Sequence, residues 1–131
     1  MKESRKEAAR WWNQAQNDLG YAELGLSGGY YAQACFQCHQ VAEKALKAVH
    51  YAQFDKRFVA GHSLVSLSRD LDFPESLKNN LPILDQYYIP TRYPNGLPDS
   101  APYEVYTAEQ AKHAVEVARE VLETARRRIG L

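Results

Sequence analysis

Residues 30–54, Tyr30-Tyr31-Ala32-Gln33-Ala34-Cys35-Phe36-Gln37-Cys38-His39-Gln40-Val41-Ala42-Glu43-Lys44-Ala45-Leu46-Lys47-Ala48-Val49-His50-Tyr51-Ala52-Gln53-Phe54, decide the fold. Ala34, Cys38, Val41, Ala45, Ala48 and Ala52 recur at three- and four-residue steps, which is one face of a helix. The small residues of that stripe suit close helix packing. Upstream, Trp12, Ala15, Leu19, Ala22 and Leu26 make a second helical face. Ser4-Arg5-Lys6-Glu7 has the form of a capping box at its start. Ser27-Gly28-Gly29 breaks the pattern, and so short a break returns the chain antiparallel. Gly20 and Gly25 weaken the first helix by ~1 kcal/mol each against Ala. They either permit close approach of another helix or are a tolerated cost.

Downstream, Lys56 to Gly61 reads as a connection, and Ser63 as the cap of a short third helix through Leu71. Asp72 is placed to cap the next turn, with Pro74 near its start. Pro82 either kinks a helix over residues 75–88 or follows a fresh cap at Asn80, and the second is favoured. Thr107-Ala108-Glu109-Gln110 is a further capping box. Ala111, Val115, Ala118, Leu122, Ala125 and Ile129 then carry the last helix. No strand, repeat or domain boundary is evident. The expectation is one all-α domain over residues 1–131, an antiparallel up-and-down bundle of four to five helices.

Between the short helices and the last one lies Asp85-Gln86-Tyr87-Tyr88-Ile89-Pro90-Thr91-Arg92-Tyr93-Pro94-Asn95-Gly96-Leu97-Pro98-Asp99-Ser100-Ala101-Pro102. Four of the six prolines fall here, so the stretch cannot be helical throughout. Five of the nine tyrosines lie between Tyr87 and Tyr106, too aromatic for a solvated linker. A long Pro/Tyr-rich loop laid on the bundle is expected, and long ordered loops commonly carry function.

The 131 residues include 16 basic and 16 acidic ones, so net charge argues for neither nucleic acid nor an acidic membrane. No apolar run approaches a membrane span. The charged N-terminus leads into no apolar signal core, and with two cysteines the expected compartment is the reducing cytoplasm.

Three blocks now in view resemble the HEPN family, the "higher eukaryotes and prokaryotes nucleotide-binding" domain. They are Trp11 to Leu19 with Ala22-Glu23, then Tyr30 to Ala48, then His62-Ser63-Leu64 joined to Asp85 and the Tyr88-Ile89-Pro90-Thr91-Arg92-Tyr93-Pro94-Asn95 run. The resemblance implies a bundle that commonly forms a homodimer. It implies a partner, a minimal nucleotidyltransferase, in a toxin–antitoxin-like pair. Many members of the family are metal-independent ribonucleases that use an Arg followed four to six residues later by His near the start of the last helix. Here no His follows Arg92 until His113, inside the last helix, so that motif is missing. Arg57 and His62 have the spacing but precede the third helix, the wrong element.

Each candidate residue has a functional and a structural reading. Arg92 offers a planar fork for phosphate or carboxylate, and Tyr88 and Tyr93 offer faces for a base. Alternatively Arg92 pins the loop to Asp85 or Glu104. His39, Glu43 and Lys47 share one helix side, so His39 and Lys47 either line a cleft beneath the loop or sit on a paired face. His62 either joins the site or makes a local contact at the helix start. Lys2, Arg5, Lys6, Arg10, Lys56, Arg57 and Arg126 to Arg128 gather at one end, as an RNA or partner footprint or as complements to helix dipoles.

Cys35-Phe36-Gln37-Cys38-His39 matches a haem-attachment form, but that chemistry needs an exported chain. The cysteines are better read as small buried hydrophobes. No metal site, no cofactor, no Gly-rich phosphate loop and no hydrolase elbow is expected. The leading expectation is a nucleotide- or RNA-binding module. The alternatives are a ribonuclease using a displaced His39 or His62, and a purely structural dimerisation partner.

Overall fold

The computed structural model describes residues 2–131, and the side chain of Lys2 lies outside what it describes. Three long helices form the body: α1 (Lys2–Ser27), α2 (Tyr31–Phe54) and, in last place, α7 (Ala108–Ile129). Between α2 and α7 the chain makes α3 (Leu64–Ser68), α4 (Glu75–Lys78), α5 (Leu81–Asp85), a 3-10 turn (Pro94–Gly96) and α6 (Pro102–Val105). No strand occurs among the described residues, so the all-α bundle is what forms.

Burial follows the periodicity. Trp12, Ala15, Leu19 and Ala22 of α1 meet Ala111, Val115, Ala118, Val121 and Ala125 of α7 in one core with α2. Each fully buried Leu or Val contributes ~1.5–3 kcal/mol. The Trp12 indole N–H donates to the Leu122 carbonyl at 2.9 Å, locking α1 antiparallel to α7. The Arg5 guanidinium donates to the Ile129 and Gly130 carbonyls at the C-terminal end of α7. α2 comes close to Gly25, but a Cβ there would stand 3.5 Å from the Ala34 Cβ, an ordinary contact, so the approach does not require glycine; Gly20 faces open space and is tolerated cost.

α1 runs antiparallel to both of its long neighbours. α2 and α7 therefore run the same way, and residues 55–107 climb back along the bundle to join them. This crossover covers a face of α2 that the local pattern reads as polar. His39, Glu43, Lys47 and His50 are all buried there. α2 is consequently enclosed around its middle rather than buried along one stripe.

The caps are partly as expected. Ser63 accepts from the Ser66 N–H at 3.1 Å and starts α3, and Thr107 and Gln110 form their reciprocal box. Three other caps do not form. α1 already begins at Lys2, which puts Ser4 inside the helix and buried. Pro74, not Asp72, stands at the start of α4, and the Asp72 carbonyl accepts from Arg128 Nε instead. Asn80 precedes α5 but its side chain donates to the Ser76 carbonyl and meets His113 Nε2 at 3.0 Å. The third helix also stops at Ser68, short of Leu71. The Pro/Tyr-rich stretch is less irregular than expected, because Pro94 and Pro102 each begin a helical turn, where a missing N–H costs nothing.

Candidate functional site

The residues singled out by sequence converge where the crossover lies on the first half of α2. His39 is the buried centre, 1% exposed. Its Nε2 faces the His62 carbonyl at 2.9 Å and Asp85 Oδ1 at 3.3 Å, so Nε2 carries the proton and donates. Its Nδ1 meets the Gln40 carboxamide at 3.1 Å. Asp85, at the end of α5, also accepts from the backbone N–H groups of Leu64 at 2.8 Å and Val65 at 3.2 Å. One carboxylate thus caps α3 from twenty residues away and holds His39.

His62 is more than half exposed, and its Nδ1 lies 3.0 Å from Glu43 Oε1. The other Glu43 oxygen accepts from Lys47 Nζ at 3.0 Å, and both of these residues are buried. The Lys47 ammonium also sits 5.7 Å from the centre of the Trp11 ring. Lys47 therefore reaches the site only through Glu43 and does not line a cleft beneath the loop. Nor is His62 a local helix-start contact. Its ring lies nearly parallel to that of Tyr88, with centroids 4.8 Å apart, and His62 Nε2 has no partner among the described residues.

Tyr88 is the hub. Besides His62 it packs against His39 at 4.9 Å and Phe36 at 6.2 Å. The Arg92 guanidinium carbon stands 4.4 Å from the Phe36 ring centre, 4.8 Å from that of Tyr88 and 5.4 Å from that of Tyr93. Arg92 Nε donates to the Tyr88 carbonyl at 2.7 Å. Among the described residues no carboxylate lies within 4 Å of Arg92, so it is not a pin to Asp85 or Glu104. Glu104 instead accepts from the Ala101 N–H. An exposed guanidinium stacked on rings but lacking an acid partner keeps its outer nitrogens available for an anion. Tyr93 is half exposed at the outer edge of this cluster.

Phe36 is the member that sequence reading did not single out. Its only signal was position, one helical turn before His39. The helical spacing allows Glu43 to pair with both His39 and Lys47; it pairs with Lys47 and His62, while His39 turns to Asp85.

The other motifs resolve as packing. Cys35 and Cys38 are fully buried; burial pushes the Cys35 thiol up to about 12 and raises Cys38 as well. Among the described residues no three His, Cys, Asp or Glu side chains gather to hold a metal ion. At the far end of α2, Lys56 and Arg57 line a groove with Lys6, Arg10, Glu3, Glu7 and Asp55, so charges of both signs meet there. Arg126 pairs with Glu123, and Arg126 to Arg128 complement the dipole of α7. No helix among the described residues is long and apolar enough to cross a membrane.

The described residues form a helical bundle whose polar cluster is assembled by a crossover lying on its central helix. The chain belongs to the HEPN domain family, whose model matches residues 8–128. Among solved structures it is similar to TT1696 from Thermus thermophilus, at 38% identity and a TM-score of 0.87 over 92% of this chain and 97% of that one. It is also similar to ST0689, an archaeal HEPN homologue, at 36% identity and a TM-score of 0.78 over 93% and 97%. A Methanocaldococcus jannaschii protein named "Putative toxin MJ1304" is 28% identical over 90% of this chain and 85% of its own length.

Proposed function

We propose that this chain is the HEPN half of a toxin–antitoxin-like pair, works as a homodimer with a minimal nucleotidyltransferase as partner, and binds a nucleotide or an RNA phosphate at Arg92. The observation that carries the binding reading is the Arg92 guanidinium, exposed, stacked on Phe36 and Tyr88 and without a carboxylate partner. Cation–ring stacking fixes the plane of the fork before any anion arrives, which lowers the ordering cost of binding. The toxin name of the Methanocaldococcus jannaschii relative supports the pairing. The test is titration of the purified protein with adenosine 5′-monophosphate, with and without Arg92→Ala, alongside co-purification with a nucleotidyltransferase encoded next to this chain. Binding that ignores Arg92, together with no such partner, would remove the reading.

A second reading, metal-independent RNA cleavage, is favoured by His62. Its Nδ1 faces the buried Glu43 carboxylate, which leaves a bare Nε2 on the open side of the ring. That is the arrangement of a general base, and Arg92 beside the same Tyr88 would supply charge at the phosphate. RNA incubated with the protein and EDTA should then be cut, and Arg92→Ala and His62→Ala should each abolish cutting. RNA left intact would exclude this reading.

A further inference from the structure

A groove of about 620 Å³, lined in part by Tyr88, opens between the Pro/Tyr-rich loop and the start of α7. Its walls are Tyr87, Ile89, Pro90, Leu97, Val105 and Tyr106. Ile89 and Val105 are each more than two-fifths exposed, so apolar surface is left uncovered on both rims. Two carboxamides also line it. Gln110 accepts from the Thr107 N–H through Oε1, which leaves its Nε2 without a partner among the described residues. The Gln86 side chain is likewise without a partner there. A volume of this size lies within the usual range for a small-molecule site, and apolar walls with a few polar groups are its usual lining.

We infer that this groove takes the base of the nucleotide whose phosphate sits on Arg92. The inference rests on the nucleotide reading above and adds where the base goes. Tyr88 connects the two halves: its ring lies 4.8 Å from the Arg92 guanidinium carbon, and the same residue lines the groove. Arg92 Nε is bonded to the Tyr88 carbonyl, which ties the fork to a residue of the groove wall. Aromatic and apolar walls accept a flat base, and carboxamides can hydrogen-bond its polar edge. Asp85 adds no reading group, because its oxygens are engaged by Leu64, Val65 and His39. The nucleotide can be free or be the terminal residue of an RNA, since both present the same base and phosphate.

The experiment compares adenosine 5′-monophosphate with ribose 5-phosphate on the full chain, in wild type, Val105→Trp, Ile89→Trp and Arg92→Ala. The base should tighten binding about tenfold or more. Val105→Trp and Ile89→Trp fill the groove from exposed positions, and each should cut the affinity for the nucleotide to that for the sugar phosphate, leaving the latter unchanged. Arg92→Ala should weaken both ligands. Displacement of the mononucleotide by a 5′-phosphorylated oligoribonucleotide would assign the base to an RNA end, and lack of displacement to a free nucleotide. Equal binding of both ligands to wild type, with Arg92 still required, would overturn the groove and leave the phosphate site standing. Loss of Arg92 dependence would overturn the nucleotide reading itself. A Val105→Trp or Ile89→Trp protein whose sedimentation shows a changed oligomer would make the groove an interface between copies and overturn the inference.

Discussion

The Asp85 carboxylate lies 3.3 Å from Nε2 of His39 while accepting from the Leu64 and Val65 N–H groups, so one side chain ties α5, α3 and α2 together. Asp85→Ala removes a helix cap and leaves the Leu64 and Val65 N–H groups short of an acceptor, while His39 Nε2 keeps the His62 carbonyl. A lost cap alone costs ~1 kcal/mol, and the part-buried Leu64 N–H left without a partner adds to it. A total of about 2–3 kcal/mol in chemical denaturation is expected, with Asp85→Asn losing less because its carbonyl oxygen still accepts. A loss under half of that would show that Ser63 caps α3 sufficiently alone.

Glu43 is buried between Lys47 and His62. Glu43→Gln strands the Lys47 ammonium in the interior, and breaking such a pair from one side costs ~3–5 kcal/mol. Replacing both partners with apolar residues, Glu43→Leu with Lys47→Met, should recover most of that loss. His62 should nonetheless lose its fixed orientation in the double variant. Nuclear magnetic resonance of the His62 ring would report this as a chemical shift that moves toward that of a free histidine.

Cys35 stays a thiol in the folded protein well above its ordinary value of 9.0, because burial pushes it up to about 12, and Cys38 shifts the same way. The raised native value means the unfolded chain loses its protons first. Stability from these groups is complete below pH 9.0 and falls as pH rises toward 12, with a slope of ~1.4 kcal/mol per pH unit for each group in that window. Tyr87, pushed up to about 12 by burial, adds to the same trend above 10.0. Melting temperature should drop steeply from pH 9 to 11, and Cys35→Ala should flatten part of that slope. A chromogenic disulfide reagent should label neither cysteine of the folded protein at pH 8, and labelling at the rate of a free thiol would contradict the burial.

Gly20 sits in the interior of α1 with nothing within 4 Å of the position a Cβ would take. Gly20→Ala should therefore stabilise the protein by about 1 kcal/mol and raise its melting temperature. Gly25→Ala should gain a similar amount, since its Cβ would meet the Ala34 Cβ at 3.5 Å, an ordinary contact distance. A loss at Gly25 would mean that α1 and α2 approach each other more closely than this contact implies.

The long helices were legible because their information is local. A stripe such as Trp12, Ala15, Leu19 and Ala22 announces one buried face regardless of what covers it. The same locality misled at Ser4, which lies inside α1, and at Asp72 and Asn80, whose residues meet partners on α7. Asn80 turns to His113 of α7, and the Asp72 carbonyl to Arg128. The site was legible as residue types and not as an arrangement. His39, His62, Asp85, Tyr88 and Arg92 were named together, but nothing local pairs Asp85 with the Leu64 and Val65 N–H groups or sets Phe36 under Arg92. The burial of Lys47 was hidden for the same reason, since only the crossover turns a polar face of α2 into an interior one.

Arg92 is held by Pro90 on one side and Pro94 on the other, by its Nε bond to the Tyr88 carbonyl, and by the rings of Phe36 and Tyr88. None of these holds is a buried ion pair. An exposed cation–ring contact is worth ~0.5–1 kcal/mol, and one neutral hydrogen bond about as much. Arg92→Ala should thus lower stability by no more than about 2 kcal/mol. Arg92→Lys should lower it still less, because the ammonium keeps a ring contact. Ligand affinity should respond the other way round. If the fork grips a phosphate through two nitrogens, Lys cannot reproduce the bidentate plane, and Arg92→Lys should bind adenosine 5′-monophosphate nearly as poorly as Arg92→Ala. Paired measurement of melting temperature and affinity separates the two roles. A drop of several degrees with unchanged affinity would make Arg92 a clasp for the loop rather than a ligand fork.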